Sequence, residues 1–266
     1  MNTPVNLLLL LVFAMGPGVV HAQFDHSPWD QLLRAHVEVL REGRETRVDY
    51  AGMQEQSEVL ASYLDAAAGV TARAFDAWSQ PERLAFLINI YNAATVDLVL
   101  TRYPGIDSIR DIGSLFRSPW SRPIVSLFGG QVSLDEIEHE MIRDSREYNE
   151  PRIHFAVNCA AIGCPPLRAE AYVGPRLEHQ LDDSTRLFLS DRTRNYAQDS
   201  RLYLSKIFDW YREDFERGWQ GINSVAEFLA PYANELDLDS AQRELLREGE
   251  ITIRYLRYDW VLNTAR

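Results

Sequence analysis

The sequence predicts a helix-rich α+β fold, a single domain built around a small, mostly antiparallel sheet. Three observations lead to this prediction. Capping signals open several segments with a helical pattern of apolar residues, whereas short alternating segments are few. Helices and strands follow one another irregularly, without the repeating units of a parallel sheet. The chain is 46% hydrophobic, which supplies a sizeable core for one domain over residues 23–266.

The first 22 residues are predicted to be a secretory signal peptide. An apolar run from Leu7 to Ala14 precedes helix-breaking glycine and proline, and the segment ends in short residues up to Ala22. This run is too short to span a membrane. We therefore expect a mature chain that begins near Gln23, is periplasmic or secreted, and has no membrane span.

Capping signals predict three helices, over residues 27–41, 79–103 and 133–143. In the first, a serine precedes a proline at the first helical position and an acid in the first turn. In the other two, a serine stands three residues before a glutamate, which is the spacing of a capping box. Further helices are expected over 57–68, 175–190, 206–216, 224–233 and 240–248.

Strands are predicted at fewer places. Residues 123–132 contain apolar residues on either side of Gly129-Gly130, which predicts a hairpin with a tight turn. The run 153–159 has the composition of a buried strand, and residues 201–205 and 251–256 alternate between apolar and polar. These segments supply the strands of the predicted sheet.

Charge and motifs exclude several classes of function. The net charge of −12 argues against nucleic acid and anionic membrane surfaces as partners. The histidines show no metal-binding spacing, and the phosphate-binding loop, GxGxxG and GxSxG motifs are absent from the sequence. We therefore predict no metal and no cofactor, and expect an unknown small molecule or a protein as the partner.

Polar residues in an apolar helix are the first site candidates. The helix 79–103 is apolar nearly all the way round, which is typical of a buried helix. Asn89, Asn92 and Thr95 nevertheless lie along one face of it, here called the polar stripe. A buried amide without partners costs about 1–3 kcal/mol, so the stripe must meet hydrogen-bonding groups. Those groups belong either to another chain segment or to a ligand.

The helix 133–143 carries a second anomaly. Glu138 falls in the middle of its apolar face, and His139 falls toward the edge of that face. A carboxylate in that place is either satisfied by a buried partner, or is a perturbed acid or base, or reaches out to solvent. His139 by itself fits a surface or boundary histidine equally well.

Both cysteines of the chain, Cys159 and Cys164, stand in one short segment. On a strand, His154 and Asn158 face the side opposite to Cys159, which disfavours a local cysteine–histidine pair. Export to an oxidising compartment favours a disulfide between the two cysteines. Their spacing differs from the CxxC of thioredoxin-like redox sites.

Four segments stand in the order and spacing of a known family, DUF547. They read FLINIYNAATVDLVLTRYP, SLDEIEHEMIR, PRIHFAVNCAAIGCPPLRAEAY and LSKIFDWYREDF. The chain resembles this family over about residues 85–215, and residues 47–50 and 258–263 are similar to what flanks the domain in bacterial members. The resemblance implies an exported bacterial protein of a family whose activity is not generally established. It also implies the site residues Asn89, Tyr91, Asn92, Glu138, His139, His154, Cys159, Cys164, Pro165 and Pro166.

Two classes of function remain open, with a third behind them. In a binding or interaction module with a small polar pocket, a Cys159–Cys164 disulfide pins a ligand-facing loop. In a cysteine-dependent acyl transferase or hydrolase, one of these cysteines attacks and His139 or His154 is the base. Asn92 or Asn158 would then orient the base or donate to the oxyanion. Thiol–disulfide exchange is the third possibility. We expect the binding module.

Overall fold

The computed structural model describes residues 23–114, 117–145 and 147–265. The predicted signal peptide lies outside these ranges and stays a prediction. The α-helices are α1 Ser27–His36, α2 Tyr50–Glu55, α3 Ser57–Ala68, α4 Ala72–Asp76, α5 Gln80–Leu100, α6 Leu177–Leu189, α7 Ile207–Trp210, α8 Arg212–Glu216, α9 Val225–Leu229 and α10 Ser240–Arg247. The strands are β1 Val37–Leu40, β2 Glu45–Val48, β3 Val125–Leu127, β4 Gly130–Val132, β5 Tyr196–Gln198, β6 Arg201–Leu204 and β7 Thr252–Tyr255. A π-helix spans Glu136–Arg143.

The predicted helix-rich α+β fold is confirmed. The strands of the described chain form three small sheets, β1-β2, β3-β4 and β5-β6-β7. All pairs are antiparallel except β6 and β7, which run parallel with Leu202 opposite Ile253. The hairpin of β3 and β4 turns at Phe128 and Gly129, which both have positive φ, as a primed turn requires. Gly130, predicted to lie in the turn, is the first residue of β4.

The central helix α5 begins at the predicted capping box, in which the Ser79 backbone N–H donates to the Glu82 carboxylate over 2.9 Å. It is buried along nearly its whole length and lies in the larger of two hydrophobic clusters. In the part of the chain that the structure describes, α5 alone is long and apolar enough to span a membrane, but 83% of its apolar window is buried in the protein. Packing inside the domain therefore accounts for its apolar composition.

The smaller cluster is built largely from aromatic rings of the C-terminal half. Phe155 lies in it against Phe188 and Phe208, with ring centroids 5.0 and 5.7 Å apart. This contact anchors the segment before the two cysteines to α6 and α7.

The predicted strand over residues 153–159 is wrong. The structure has a 3-10 helix at Pro151–Phe155 instead, followed by an irregular segment. Proline occupies the first turn of this helix, and the Glu150 side chain accepts from the Arg152 backbone N–H over 3.1 Å, which caps it. A short apolar run does not by itself distinguish a buried strand from a buried helical turn. The argument that His154 and Cys159 face opposite sides of a strand therefore no longer applies.

Other boundaries differ for local reasons. The predicted helix 27–41 ends at His36, because the following VEVL pairs with Glu45–Val48 as a strand. The predicted helix 206–216 is broken at Tyr211, whose φ of −112° and ψ of 25° are not helical. The helix predicted over 57–68 has the bounds of α3.

Candidate ligand-binding cleft

An open cleft of about 270 Å³ brings together half of the residues that the sequence singled out. It lies where the π-helix, α7 and the segment around the cysteines meet the C-terminal residues. Its lining consists of Tyr91, Trp120, Asp135, Glu138, His139, His154, Val157, Cys159, Pro165, Ile207, Trp210, Tyr211, Tyr258 and Trp260. The volume is close to the lower end of the usual range for small-molecule sites, about 300–1,000 Å³.

Aromatic side chains form much of the wall. Trp260 is the centre of this wall, with ring centroids 4.6 Å from Tyr258, 5.7 Å from Trp120 and 5.8 Å from Trp210. Trp210 remains 45% exposed, so part of this apolar surface faces solvent at the mouth of the cleft. Such rings offer flat apolar faces with a negative quadrupole to a ligand.

The π-helix carries the polar residues of the cleft. It begins after the predicted capping box, in which the Glu136 carboxylate accepts from the Ser133 N–H over 2.6 Å. Its wider turn is visible in the bond from the Asp144 N–H to the His139 carbonyl, 2.8 Å and five residues apart. Such turns are rare and occur often at functional sites. Here the turn places Asp135, Glu138 and His139 along one wall.

Glu138 is buried, with 6% of the residue exposed. Tyr91 and Tyr211 lie close enough to its carboxylate to interact with its charge. Burial and the negative charge of Glu138 together raise the pKa of both tyrosines above the ordinary range. The Oε1 atom of Glu138 has no hydrogen-bond partner among the described residues.

A charged network lies behind the cleft. Asp214 accepts from His154 Nε2 over 2.7 Å and from Arg143 Nε over 2.5 Å. Burial alone would raise the pKa of Asp214, but these hydrogen bonds lower it below its usual range. Arg143 also donates to Nδ1 of His139 over 2.8 Å, so the network reaches the rim of the cleft.

Burial favours the neutral form of the His154 imidazole. Burial lowers its pKa and outweighs the opposite effect of the Asp214 hydrogen bond. Because a carboxylate only accepts, Nε2 carries the proton and Nδ1 is a bare acceptor. This Nδ1 is buried without a partner in the described chain. The ring of Tyr211 stacks on the imidazole with centroids 3.9 Å apart.

Cys159 and Cys164 form a disulfide, as favoured from export and proximity. Cys164 is 1% exposed, whereas Cys159 is partly buried and lines the cleft. The Tyr258 hydroxyl lies 3.0 Å from Cys159 Sγ and 3.1 Å from Cys164 Sγ. The bridge therefore fixes the wall of the cleft against the C-terminal segment.

The amides of the sequence-predicted site serve the backbone, outside the cleft lining. Asn89 bonds to both the carbonyl and the N–H of Tyr172, over 2.8 and 3.0 Å. Asn92 donates to the Ala156 carbonyl over 2.9 Å and accepts from the Asn158 N–H over 2.8 Å. The Asn158 side chain donates in turn to the Pro165 carbonyl over 2.7 Å. The two asparagines of the polar stripe thus meet another chain segment rather than the space of the cleft. The Thr95 hydroxyl, contrary to the prediction, is buried without a partner in the described chain.

Several residues of the cleft and of the network behind it were missed as candidates from the sequence. Asp214 and Tyr211 belong to LSKIFDWYREDF, and Trp260 belongs to the piece that follows the domain in bacterial members of the family. Their positions in quoted motifs were the available signal. Trp120 had no such signal. Its indole Nε1 is also buried without a partner in the described ranges.

A second cavity of about 270 Å³ lies elsewhere, beside Arg168 and Leu187. Its charged groups are already paired with one another, for example Arg168 with Glu170 at 2.8 Å and with Asp183 at 2.6 Å. We therefore regard the aromatic cleft as the better candidate site. No group of three or more histidine, cysteine or acidic residues with metal-binding geometry occurs within 23–114, 117–145 and 147–265.

The fold and the cleft define a helix-rich α+β domain with an aromatic, acidic pocket. Residues 75–189 match the family described as "Protein of unknown function, DUF547", so the chain carries a DUF547 domain and the resemblance is confirmed. The matched segment begins before the predicted core of 85–215 and ends before LSKIFDWYREDF. No curated protein and no solved structure matches the chain.

Proposed function

We propose that this protein is an exported module that binds a small molecule in the aromatic cleft. One observation carries the proposal: Glu138 and His154 each hold a buried hydrogen-bond acceptor, Oε1 and Nδ1, without a partner in the described chain. A buried polar group without a partner costs about 1–3 kcal/mol, and both of these residues line the same cleft. A ligand in the cleft can supply the missing donors.

The surroundings of these two acceptors support a binding role. Aromatic rings provide apolar contact area, and the Cys159–Cys164 disulfide keeps one wall in place. Asn92 holds the backbone between Ala156 and Asn158, which leads from His154 to Cys159. The site is therefore organised before a ligand arrives, which lowers the ordering cost of binding. Export to the periplasm or the medium follows from the predicted signal peptide.

A ligand screen tests the proposal. The mature protein, residues 23–266, is mixed with a chemically diverse set of metabolites, and binding is detected by thermal shift and ligand-observed NMR. Hits should lose affinity in Trp210→Ala and keep it in Val59→Ala. Val59 is a matched control because it is also an exposed hydrophobic residue, at 40%, and lies in α3 away from the cleft lining. Hits that are indifferent to Trp210, or a screen without hits, would contradict the proposal.

Cysteine-dependent acyl transfer is the second candidate. It is supported by the position of Cys159 in the same cleft as His139 and His154. Its nucleophile requires a free thiol, whereas both sulfur atoms are in the disulfide. Intact-mass measurement of the non-reduced protein after treatment with iodoacetamide shows whether the cysteines are free thiols or a disulfide. Alkylation supports acyl transfer, and no alkylation with a mass two hydrogens below the dithiol excludes it.

Thiol–disulfide exchange is supported by the same disulfide in the cleft wall. Equilibration of the protein in glutathione buffers of graded potential tests it. A disulfide that is reduced at a redox potential near that of the cellular glutathione pool supports exchange. A bridge that stays oxidised at much lower potentials is structural.

A further inference from the structure

We infer that the ligand of the aromatic cleft is a primary amine in its protonated form, attached to a flat apolar body, with its ammonium group on Glu138. This inference rests on the proposed binding function and names the ligand class. Three features of the cleft carry it: the sign of its charge, the imbalance of its unpaired hydrogen-bonding groups, and the rings of its wall.

The charge of the lining is negative. Asp135 and Glu138 line the cleft, and none of its described lining residues is a lysine or an arginine. The cation of the network behind the cleft, Arg143, is outside the lining and is engaged by Asp214. Its guanidinium carbon lies 4.8 Å from the centroid of the Tyr211 ring. A ligand carboxylate or phosphate would meet two carboxylates without a cation to compensate. A cation is favoured at the same place.

The cleft has more unpaired hydrogen-bond acceptors than unpaired donors. Glu138 Oε1 and His154 Nδ1 are acceptors, and Trp120 Nε1 is a single donor. An ammonium group offers three N–H donors and no acceptor, which fits the excess of acceptors. A quaternary ammonium has the same charge but no N–H to give. The excess of acceptors therefore favours a protonated amine over a quaternary ammonium.

The rings of the wall suit the rest of such a ligand. Trp210, Tyr258 and Trp260 lie within 4.6–5.8 Å of one another by ring centroid. Ring faces attract a nearby cation and stack on a planar apolar group. Trp210 is 45% exposed, so the apolar body can pack on the open faces of these rings while the ammonium reaches Glu138.

Isothermal titration with a matched set of probes tests the inference on the mature protein. The set is phenethylamine, phenethyl alcohol, phenylpropanoate and phenethyltrimethylammonium, which share the ring and differ in the group at its end. We expect phenethylamine to bind about tenfold or more tightly than the alcohol, because the alcohol can donate to the Glu138 carboxylate but carries no positive charge to pair with it. The quaternary ammonium and the carboxylate should bind more weakly still.

Glu138→Gln is the matched variant, since it keeps the size of the side chain and removes its charge. It should lower the affinity for phenethylamine by about tenfold or more and leave the affinity for phenethyl alcohol within a few-fold. The probe series on the unaltered protein decides the question even if this variant fails to fold. Preference for the alcohol, the carboxylate or the quaternary ammonium, or equal binding of phenethylamine in a folded Glu138→Gln, would overturn the inference.

The two proposals fail in different ways. If the metabolite screen yields neutral or anionic ligands that depend on Trp210, the cleft binds small molecules but the ammonium assignment is wrong. If no compound depends on Trp210, the binding function itself is wrong and the inference falls with it.

Discussion

Replacing Asn92 by alanine tests how the central helix α5 supports the wall of the cleft. The amide of Asn92 is 2% exposed and satisfies two backbone groups, the Ala156 carbonyl and the Asn158 N–H. Both backbone groups lie in buried residues. Alanine leaves each of them without a partner, at about 1–3 kcal/mol apiece. We therefore expect a loss of about 2–6 kcal/mol in the free energy of unfolding.

Urea denaturation followed by circular dichroism measures this loss as a shift of the midpoint. Thr95→Val is the control for the polar stripe, because the Thr95 hydroxyl is buried without a partner in the described chain. Removing that hydroxyl while keeping the shape should cost less than about 1 kcal/mol, or stabilise. Asn89→Ala is the second control, since its amide bridges Tyr172, outside the cleft.

The affinity for phenethylamine distinguishes the Asn89→Ala variant from the Asn92→Ala variant. Asn89→Ala should destabilise to a similar degree but leave the affinity for phenethylamine within a few-fold. Asn92→Ala should weaken that affinity as well, because it releases the segment between His154 and Cys159. A cost below about 1 kcal/mol for Asn92→Ala, or an equal cost for Thr95→Val, would refute the reasoning.

Three further predictions concern stability. The double variant Cys159→Ser, Cys164→Ser should lose about 2 kcal/mol and about 4–8 °C of melting temperature, since the bridge closes a short loop; unchanged melting would count against the bridge. Burial lowers the pKa of His26 to about 4 from 6.5, so its contribution is complete above pH 6.5 and is lost as the pH falls toward 4. Between pH 6.5 and pH 4 the free energy of unfolding of His26→Gln should therefore fall by about 3 kcal/mol less than that of the unaltered protein, as measured by urea denaturation at each pH. The same pH dependence of stability in both proteins would contradict this. Asp214→Ala should cost about 3–5 kcal/mol, because it leaves the largely buried Arg143 guanidinium and the His154 Nε2–H without their acceptor. The partly exposed ion-pair control Asp209→Ala should cost about 0–1 kcal/mol by the same assay, and equal costs would refute a structural role for the network.

Local signals predicted much of the fold. The capping boxes at Ser79 and Ser133 both form, because their hydrogen bonds join residues three apart and need no tertiary partner. The position of Glu138 on an apolar helical face was also visible in the sequence, but that pattern left burial and exposure to solvent both open. The π-helical turn was not predictable, because it depends on packing rather than on periodicity.

The rest of the site depends on contacts between distant parts of the chain. Asp214 meets His154 across 60 residues and Arg143 across 71, so no spacing in the sequence marks it. The apolar run at 153–159 was misassigned because its pattern is compatible with strand and helix alike, and the cap at Glu150 decides the outcome. The polar stripe was placed correctly on α5, but its partners became visible only in three dimensions.

A crystal structure of the mature protein with para-bromophenethylamine tests the central claim most directly, because the bromine marks the ring and the density places the amine. We predict the bromophenyl ring against the Trp210 and Trp260 rings, with the ammonium nitrogen about 2.8 Å from Glu138 Oε1. A probe bound outside the cleft, or one inside it with the ammonium directed away from Glu138, would contradict the account.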